Sequence, residues 1–320
     1  MLHVDEELEQ CLTQFPHLNA SVVPDRIASL RDRARQFGAS DELLKCQGAI
    51  EIEHLSCPLG NGVQLPLLML RPTKVLGPFR AICFVHGGGM IAGDERTGLE
   101  AATAWVQEFG IAVYSIGYRL APEYPHPTPV EDVYAALYWI DQQRQELGLT
   151  TDPLVLIGVS AGGGLAAGAA LLARDRDGPR LGELMLLSPM LDDRPRWPSS
   201  LAFDADVPWD RTSNATGWAS LLGPHAGGSD VPAYAAPARA GDLAGMPPSY
   251  LEVGSAETFR DECIDFAQRL TIAGIPTEFH LWSGAFHGFD RICPDSALAR
   301  TAQATRIDYL RRRLGLRAAP

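Results

Sequence analysis

The chain has 320 residues, 46% hydrophobic and 21% charged, an ordinary composition for a soluble protein. Its formal charge of -12 excludes long-range attraction to nucleic acid or an anionic membrane, and solubility alone accounts for it. The length exceeds that of a small domain, but α/β folds reach it as one unit with a large core.

Residues 1–45 read as helical, broken at Ser21-Val22-Val23-Pro24. Met1 to Gln10 is acidic and lacks an apolar h-region, so no signal peptide is expected. No stretch of about 18 apolar residues predicts a membrane span. Arg31, Arg33 and Arg35 alternate with other residues and read as a solvated helix face. From residue 48 the pattern turns to strands. Ile50, Ile52 and Leu55 begin one, Asn61-Gly62 marks a tight turn, and Val63 to Leu70 follows antiparallel. Ala81 to Val85 is a short apolar run typical of a buried strand. Strands are then predicted at Ile111–Ile116, Leu154–Gly158, Leu184–Leu187, Tyr250–Val253 and Glu278–Trp282, making eight. Helices are predicted at Val130–Leu147, Leu165–Ala173, Ile264–Ala273 and Ala297–Leu314. Strands joined by helices imply a mostly parallel sheet covered on both faces.

Residues 189–247 break this rhythm, being rich in Pro, Trp, Asp and Gly. A segment this long is rarely structureless in a compact domain. It reads as an insertion above the sheet, helical around Arg211 to Leu222. With residues 1–45 it would form a cap over the catalytic body of residues 46–320; the alternative is a peripheral excursion. The six cysteines, Cys11, Cys46, Cys57, Cys83, Cys263 and Cys293, form no CxxC pair and no metal-like cluster with histidine. All six are expected as reduced thiols in a cytoplasmic protein.

Gly158-Val159-Ser160-Ala161-Gly162 follows the strand Val155-Leu156-Ile157 and precedes a helix. A nucleophile elbow requires that context: a tight strand-to-helix turn that exposes a serine hydroxyl at the helix N-terminus. His86-Gly87-Gly88-Gly89 directly follows the strand ending at Val85. Its glycines let backbone N–H groups approach a developing oxyanion without Cβ interference. No GxxxxGK[ST] or GxGxxG accompanies them, which argues against a phosphate cradle. Phe286-His287-Gly288-Phe289 follows the last strand and supplies an imidazole that can serve Ser160 as base.

The motifs HGGG, GxSAG and HGF occur in this order, with Tyr118-Arg119-Leu120-Ala121-Pro122-Glu123 as a fourth. Together they resemble the hormone-sensitive-lipase-like family of α/β-hydrolase esterases, over residues 60 to 315. The resemblance implies an eight-stranded sheet, a helical cap and no metal or cofactor. It assigns the oxyanion donors to Gly88, Gly89 and Ala161 and makes His86 a support for the glycine loop. Arg119, Glu123 and Asp132 become scaffold residues. Two positions depart from the family pattern. Val159 stands where Asp is common, and Glu257-Thr258-Phe259-Arg260-Asp261 replaces the usual D-P-L-R-D stretch. The triad acid therefore becomes Glu257, with Asp261 one helical turn later as the rival. The order Ser160, Glu257, His287 matches the fold.

The implied partner is a small-molecule ester with a short acyl chain, split through an acyl-enzyme. Met90, Trp209, Trp218 and Phe289 are candidates for an apolar substrate pocket, or else simply pack the cap. Two other functions stay open on this fold: a dehydratase-type lyase, which can retain the triad, and a non-catalytic receptor, against which Ser160 and His287 both count. The resemblance also suggests a homodimer through the edge strand Glu278 to Trp282, with a monomer as the alternative.

Overall fold

The computed structural model describes residues 3–203 and 207–315; residues 1–2, 204–206 and 316–320 lie outside the described residues. Eight strands form one sheet: β1 Ile50–Pro58, β2 Gln64–Pro72, β3 Ala81–Val85, β4 Ala112–Ile116, β5 Leu154–Val159, β6 Leu181–Leu187, β7 Ser249–Gly254 and β8 Thr277–Trp282. Their spatial order is β1-β2-β4-β3-β5-β6-β7-β8. The pairs β1/β2 and β2/β4 are antiparallel, and all others are parallel. The eight strands predicted from sequence are these eight, with ends displaced by at most three residues.

Eleven α-helices accompany them among the described residues: α1 Glu6–Leu12, α2 Ile27–Gln36, α3 Asp41–Lys45, α4 Glu100–Phe109, α5 Thr128–Gln142, α6 Ala161–Asp175, α7 Pro198–Ala202, α8 Arg211–Leu222, α9 Arg260–Ile272, α10 Phe289–Ile292 and α11 Ala297–Arg313. Strand alternation gives the sheet two faces, each covered by helices. Ala81, Cys83 and Val85 of β3 pack with α5, α6 and α9 residues such as Leu137, Leu165 and Phe266. Ile82 and Phe84, pointing the other way, join Trp105 of α4 and Leu310 of α11. A third, separate cluster surrounds Leu8, Phe286, Phe289 and Cys293.

Helix α4 is absent from the sequence reading. Its buried Ala102, Trp105 and Val106 carry the i, i+3, i+4 spacing of a core-facing stripe, and Gly110 ends it in the left-handed region at φ 63°. The 189–247 segment does hold a helix at Arg211–Leu222, with Asp210 as N-cap accepting from the Ser213 amide at 2.8 Å. It touches the N-terminal segment: Ser21 Oγ donates to Asp210 Oδ2, and the Val22 amide donates to Ser213 Oγ at 2.8 Å.

The cysteine expectation needs correcting. Cys11 and Cys293 form a disulfide with their Cα atoms 6.1 Å apart. The two are 282 positions apart, and folding brings them together because α1 packs on α10. Cys46, Cys57, Cys83 and Cys263 are free.

Candidate active site

Ser160 occupies the turn between β5 and α6 with φ 55° and ψ -123°, a region that side-chain-bearing residues rarely adopt. Backbone bonds on both sides hold it there. Its amide donates to the Leu187 carbonyl at 2.8 Å, and its carbonyl accepts from the Gly163 and Met190 amides. Glycine is required two residues further on for a spatial reason. A Cβ on Gly162 would lie 2.2 Å from the Val85 carbonyl oxygen and 2.3 Å from that of His86. Only a bare Cα lets α6 abut the end of β3, and that approach sets the HGGG loop against the serine.

Gly88 turns the loop with φ +123°, and a Cβ there would collide with the Ala92 carbonyl at 2.1 Å. Its carbonyl accepts from Ile91 and Ala92, while the Met90 carbonyl accepts from Ala121. The loop is thereby fixed to the YRLAPE segment. Ala161 is the first residue of α6, and the first amides of a helix have no intrahelical acceptor.

His287, between β8 and α10, faces Ser160. Its Nε2 lies 3.0 Å from Ser160 Oγ, and its Nδ1 lies 3.0 Å from Glu257 Oε1. A carboxylate only accepts, so Nδ1 carries the ring proton and Nε2 is free to take one from the hydroxyl. Glu257 is almost fully buried, just after β7. Its other oxygen, Oε2, accepts from Ser188 Oγ at 2.9 Å and the Gly254 amide at 3.0 Å. The rival acid lies elsewhere: Asp261 Oδ2 accepts from the Ser199 amide and Oδ1 from Arg260 Nε. Burial pushes its pKa up, but those hydrogen bonds outweigh burial and leave it lowered.

The four candidate pocket residues do not share one environment. The Trp209 indole lies over Gly89, where an added Cβ would meet Cη2 at 2.0 Å. It also reaches Gly217 of α8. Trp209 has φ 64°, its carbonyl accepts from Thr258 Oγ1 at 2.8 Å, and its Nε1 is buried without a partner among the described residues. Met90 is fully buried beside α6, its Cε near Gly164. Trp218 belongs to the main core, whereas Phe289 lies in the separate cluster with Leu8. Ser188, a partner of Glu257, is absent from the sequence reading; it follows β6 in no motif that would mark it.

A family model described as alpha/beta hydrolase fold matches residues 82–291. Esterase LipI of Mycobacterium tuberculosis is 34% identical over 235 residues, 72% of this chain and 71% of that protein. Carboxylesterase NlhH of the same species is 30% identical over 289 residues, 89% of this chain and 88% of that protein. The solved structure titled Bacterial Heroin Esterase superposes with a TM-score of 0.86 at 34% identity, covering 99% of both chains. The chain belongs to the hormone-sensitive-lipase-like family of α/β-hydrolases.

In this hydrolase His86 is fully buried, stacked on Tyr118 with ring centroids 4.2 Å apart. Its Nδ1 contacts the Gly87 carbonyl at 2.8 Å, so that nitrogen carries the proton. Burial lowers its pKa from 6.5 to about 4, against the opposing pull of the Gly87 bond. The native state therefore disfavours the charged ring. Between those two values the unfolded chain binds more protons, so stability falls as pH drops from 6.5 towards about 4. Urea midpoints taken from pH 7 down to pH 4.5 are expected to fall less steeply for His86→Gln than for the unaltered chain. Equal slopes would contradict the assignment.

Arg31 departs from its expected role on a solvated face. Its Nε donates to the Ile91 carbonyl at 2.7 Å, and Nη2 donates to the Ala121 carbonyl at 2.8 Å. It also pairs with Glu123 at 2.6 Å, and that hydrogen bond lowers the Glu123 pKa to about 2. Arg35 does stay exposed, paired with Asp32. Arg119 grips the buried Asp132 through Nε and Nη2, a scaffold contact within the hydrolase body. Among the described residues no helix is long and apolar enough to cross a membrane.

Proposed function

We propose that this carboxylic ester hydrolase works through a Ser160–His287–Glu257 triad on short-chain acyl esters. The observation that carries the reading is the continuous line of contacts, 3.0 Å from Ser160 Oγ to His287 Nε2 and 3.0 Å from Nδ1 to Glu257. His287 takes the hydroxyl proton as Oγ attacks the ester carbonyl. The amides of Gly88, Gly89 and Ala161 receive the oxyanion, and Glu257 stabilises the imidazolium. His287 then protonates the leaving alcohol. It next activates water to hydrolyse the acyl-enzyme.

Two observations support a short acyl chain. Trp209 covers Gly89, and its backbone bond to Thr258, next to Glu257, holds the indole there. Residues 1–45 and 189–247 act as one cap over the catalytic body, consistent with the Ser21–Asp210 and Val22–Ser213 bonds. The edge position of β8 supports a homodimer paired along that strand, which light scattering would test. Of the two grounds for a cytoplasmic setting, reduced thiols and an N-terminus without an apolar h-region, the Cys11–Cys293 bridge removes the first.

The test is kcat/KM across p-nitrophenyl esters of rising acyl length. Two- to four-carbon acyl groups are expected to react fastest, and a maximum at long chains would overturn the substrate reading. In Trp209→Ala the ratio of long- to short-chain kcat/KM is expected to rise about tenfold, the discrimination a filled apolar pocket gives. A uniform fall across the series would show that the indole packs the cap without limiting the chain.

A further inference from the structure

We infer that helix α1 positions His287, and that the Cys11–Cys293 disulfide is the lock that holds it in place. The inference rests on His287 being the base.

The loop carrying His287 does not belong to either core that flanks the sheet. Phe286 and Phe289, on either side of it, are buried in a small separate cluster. Helix α1 supplies part of that cluster through the fully buried Leu8, with Val4, Cys11 and Leu12 packed against it. Both ends of the loop are tied to the same helix. At the start, the Asp5 amide donates to the Gly284 carbonyl at 3.0 Å, so close that a Cβ on Gly284 would sit 2.6 Å from that nitrogen. Beyond the end, Glu7 Oε2 accepts from the Ala297 amide at 2.8 Å, at the first turn of α11. The disulfide then joins the last turn of α1 to the residue that closes α10, six positions after the histidine.

Helix α1 has seven residues and α10 has four, lengths at which neither is stable alone. Their order is therefore mutual. Opening the bridge leaves α1 held by Leu8, the partly buried Val4 and Leu12, and two hydrogen bonds. The loop keeps the Arg306–Asp290 ion pair at 2.5 Å, the Ala256–Ala285 backbone bond, the Gly284 amide bond to Ser255 Oγ and the edge contact of the His287 ring with Phe259. Those remaining ties predict a loosened base and not a lost one.

Cys11 is partly exposed, so a dithiol reductant can reach the bridge. One reductant thiolate attacks a bridge sulfur, the S–S bond breaks, and a mixed disulfide forms. The second reductant thiol displaces the remaining cysteine. Two electrons and two protons pass to Cys11 and Cys293, which end as thiols, and the dithiol leaves as a cyclic disulfide.

The experiment compares the full chain before and after dithiothreitol, with Cys11→Ser alongside and folding checked by near-ultraviolet circular dichroism. Two rates are read: kcat and KM on p-nitrophenyl acetate, and labelling of Ser160 by a fluorophosphonate, which requires the activated serine but no ester recognition. Reduction is expected to lower kcat and the labelling rate together, on the order of tenfold, because an ångström of misplacement costs up to about 10²-fold. KM is expected to stay within about twofold, since the substrate-contacting groups are untouched. Reoxidation restores both rates, and Cys11→Ser starts at the reduced level and ignores dithiothreitol. Unchanged kcat and labelling, with alkylation showing both cysteines reduced, would overturn the inference while leaving the hydrolase reading intact. Free Cys11 and Cys293 thiols in protein purified without reductant would overturn it as well. Labelling that falls on reduction in a chain that hydrolyses no ester would sustain the positioning role and overturn the ester reading instead.

Discussion

Ester hydrolysis by Ser160→Ala is expected to fall by at least about 10⁴-fold in kcat, the scale on which removal of a serine nucleophile acts. The substitution isolates the chemistry unusually well. The hydroxyl of Ser160 contacts His287, whereas the turn around it is held by backbone groups of Leu187, Gly163 and Met190. Alanine keeps all of those bonds and has the same Cβ. Stability is therefore expected to change by less than about 1 kcal/mol, measurable by urea unfolding. Hydrolysis at a normal rate in a folded Ser160→Ala chain would remove the covalent mechanism.

Glu257→Gln is expected to lower kcat by about 10³–10⁴-fold with little change in KM. The direction follows from what surrounds the carboxylate. Oε2 receives a hydrogen from Ser188 Oγ and another from the Gly254 amide, so the amide oxygen of glutamine belongs on that side. The glutamine NH2 then faces His287 Nδ1 in place of Oε1. A donor there requires Nδ1 to accept, which moves the ring proton to Nε2, facing Ser160. An imidazole protonated on that nitrogen cannot take the serine proton. Asp261→Asn, whose carboxylate serves Ser199 and Arg260, is expected to lose stability with kcat largely kept. Steady-state kinetics of the two variants side by side separate the acids; the reverse pattern would make Asp261 the triad acid.

The sheet was legible in the sequence because its central strands are buried on both faces, which leaves short unbroken apolar runs such as Ala81–Val85. Helix α6 is legible only from Leu165 onward. Its opening, Ala161-Gly162-Gly163-Gly164, has poor helix propensity. Those glycines serve contact: Gly162 admits the β3 end and Gly164 admits the Met190 carbonyl. Helix α4 is not legible although its spacing is present, since two of its core contacts are made by one alanine and one valine within a mixed sequence. Ser160, His287 and the glycine loop were readable as motifs, and Glu257 through the family resemblance. Ser188 was not, because its role comes from β6 ending beside β7, a relation of topology. The Cys11–Cys293 pair was unreadable for a similar reason: nothing local in either segment points across 282 positions.

The contacts of Arg31 and Ser21 bear on how this protein can be re-engineered. Arg31 bridges the Ile91 and Ala121 carbonyls, and Ser21 with Val22 bonds to Asp210 and Ser213 in the 189–247 segment. The first 45 residues and the 189–247 segment are therefore not interchangeable parts. A chimera that imports only the insertion from a relative would mismatch the stretch that must clasp it. Under the proposed cap reading, recombination designed to exchange substrate range would have to transplant both segments together, treating two regions far apart in the gene as a single cassette.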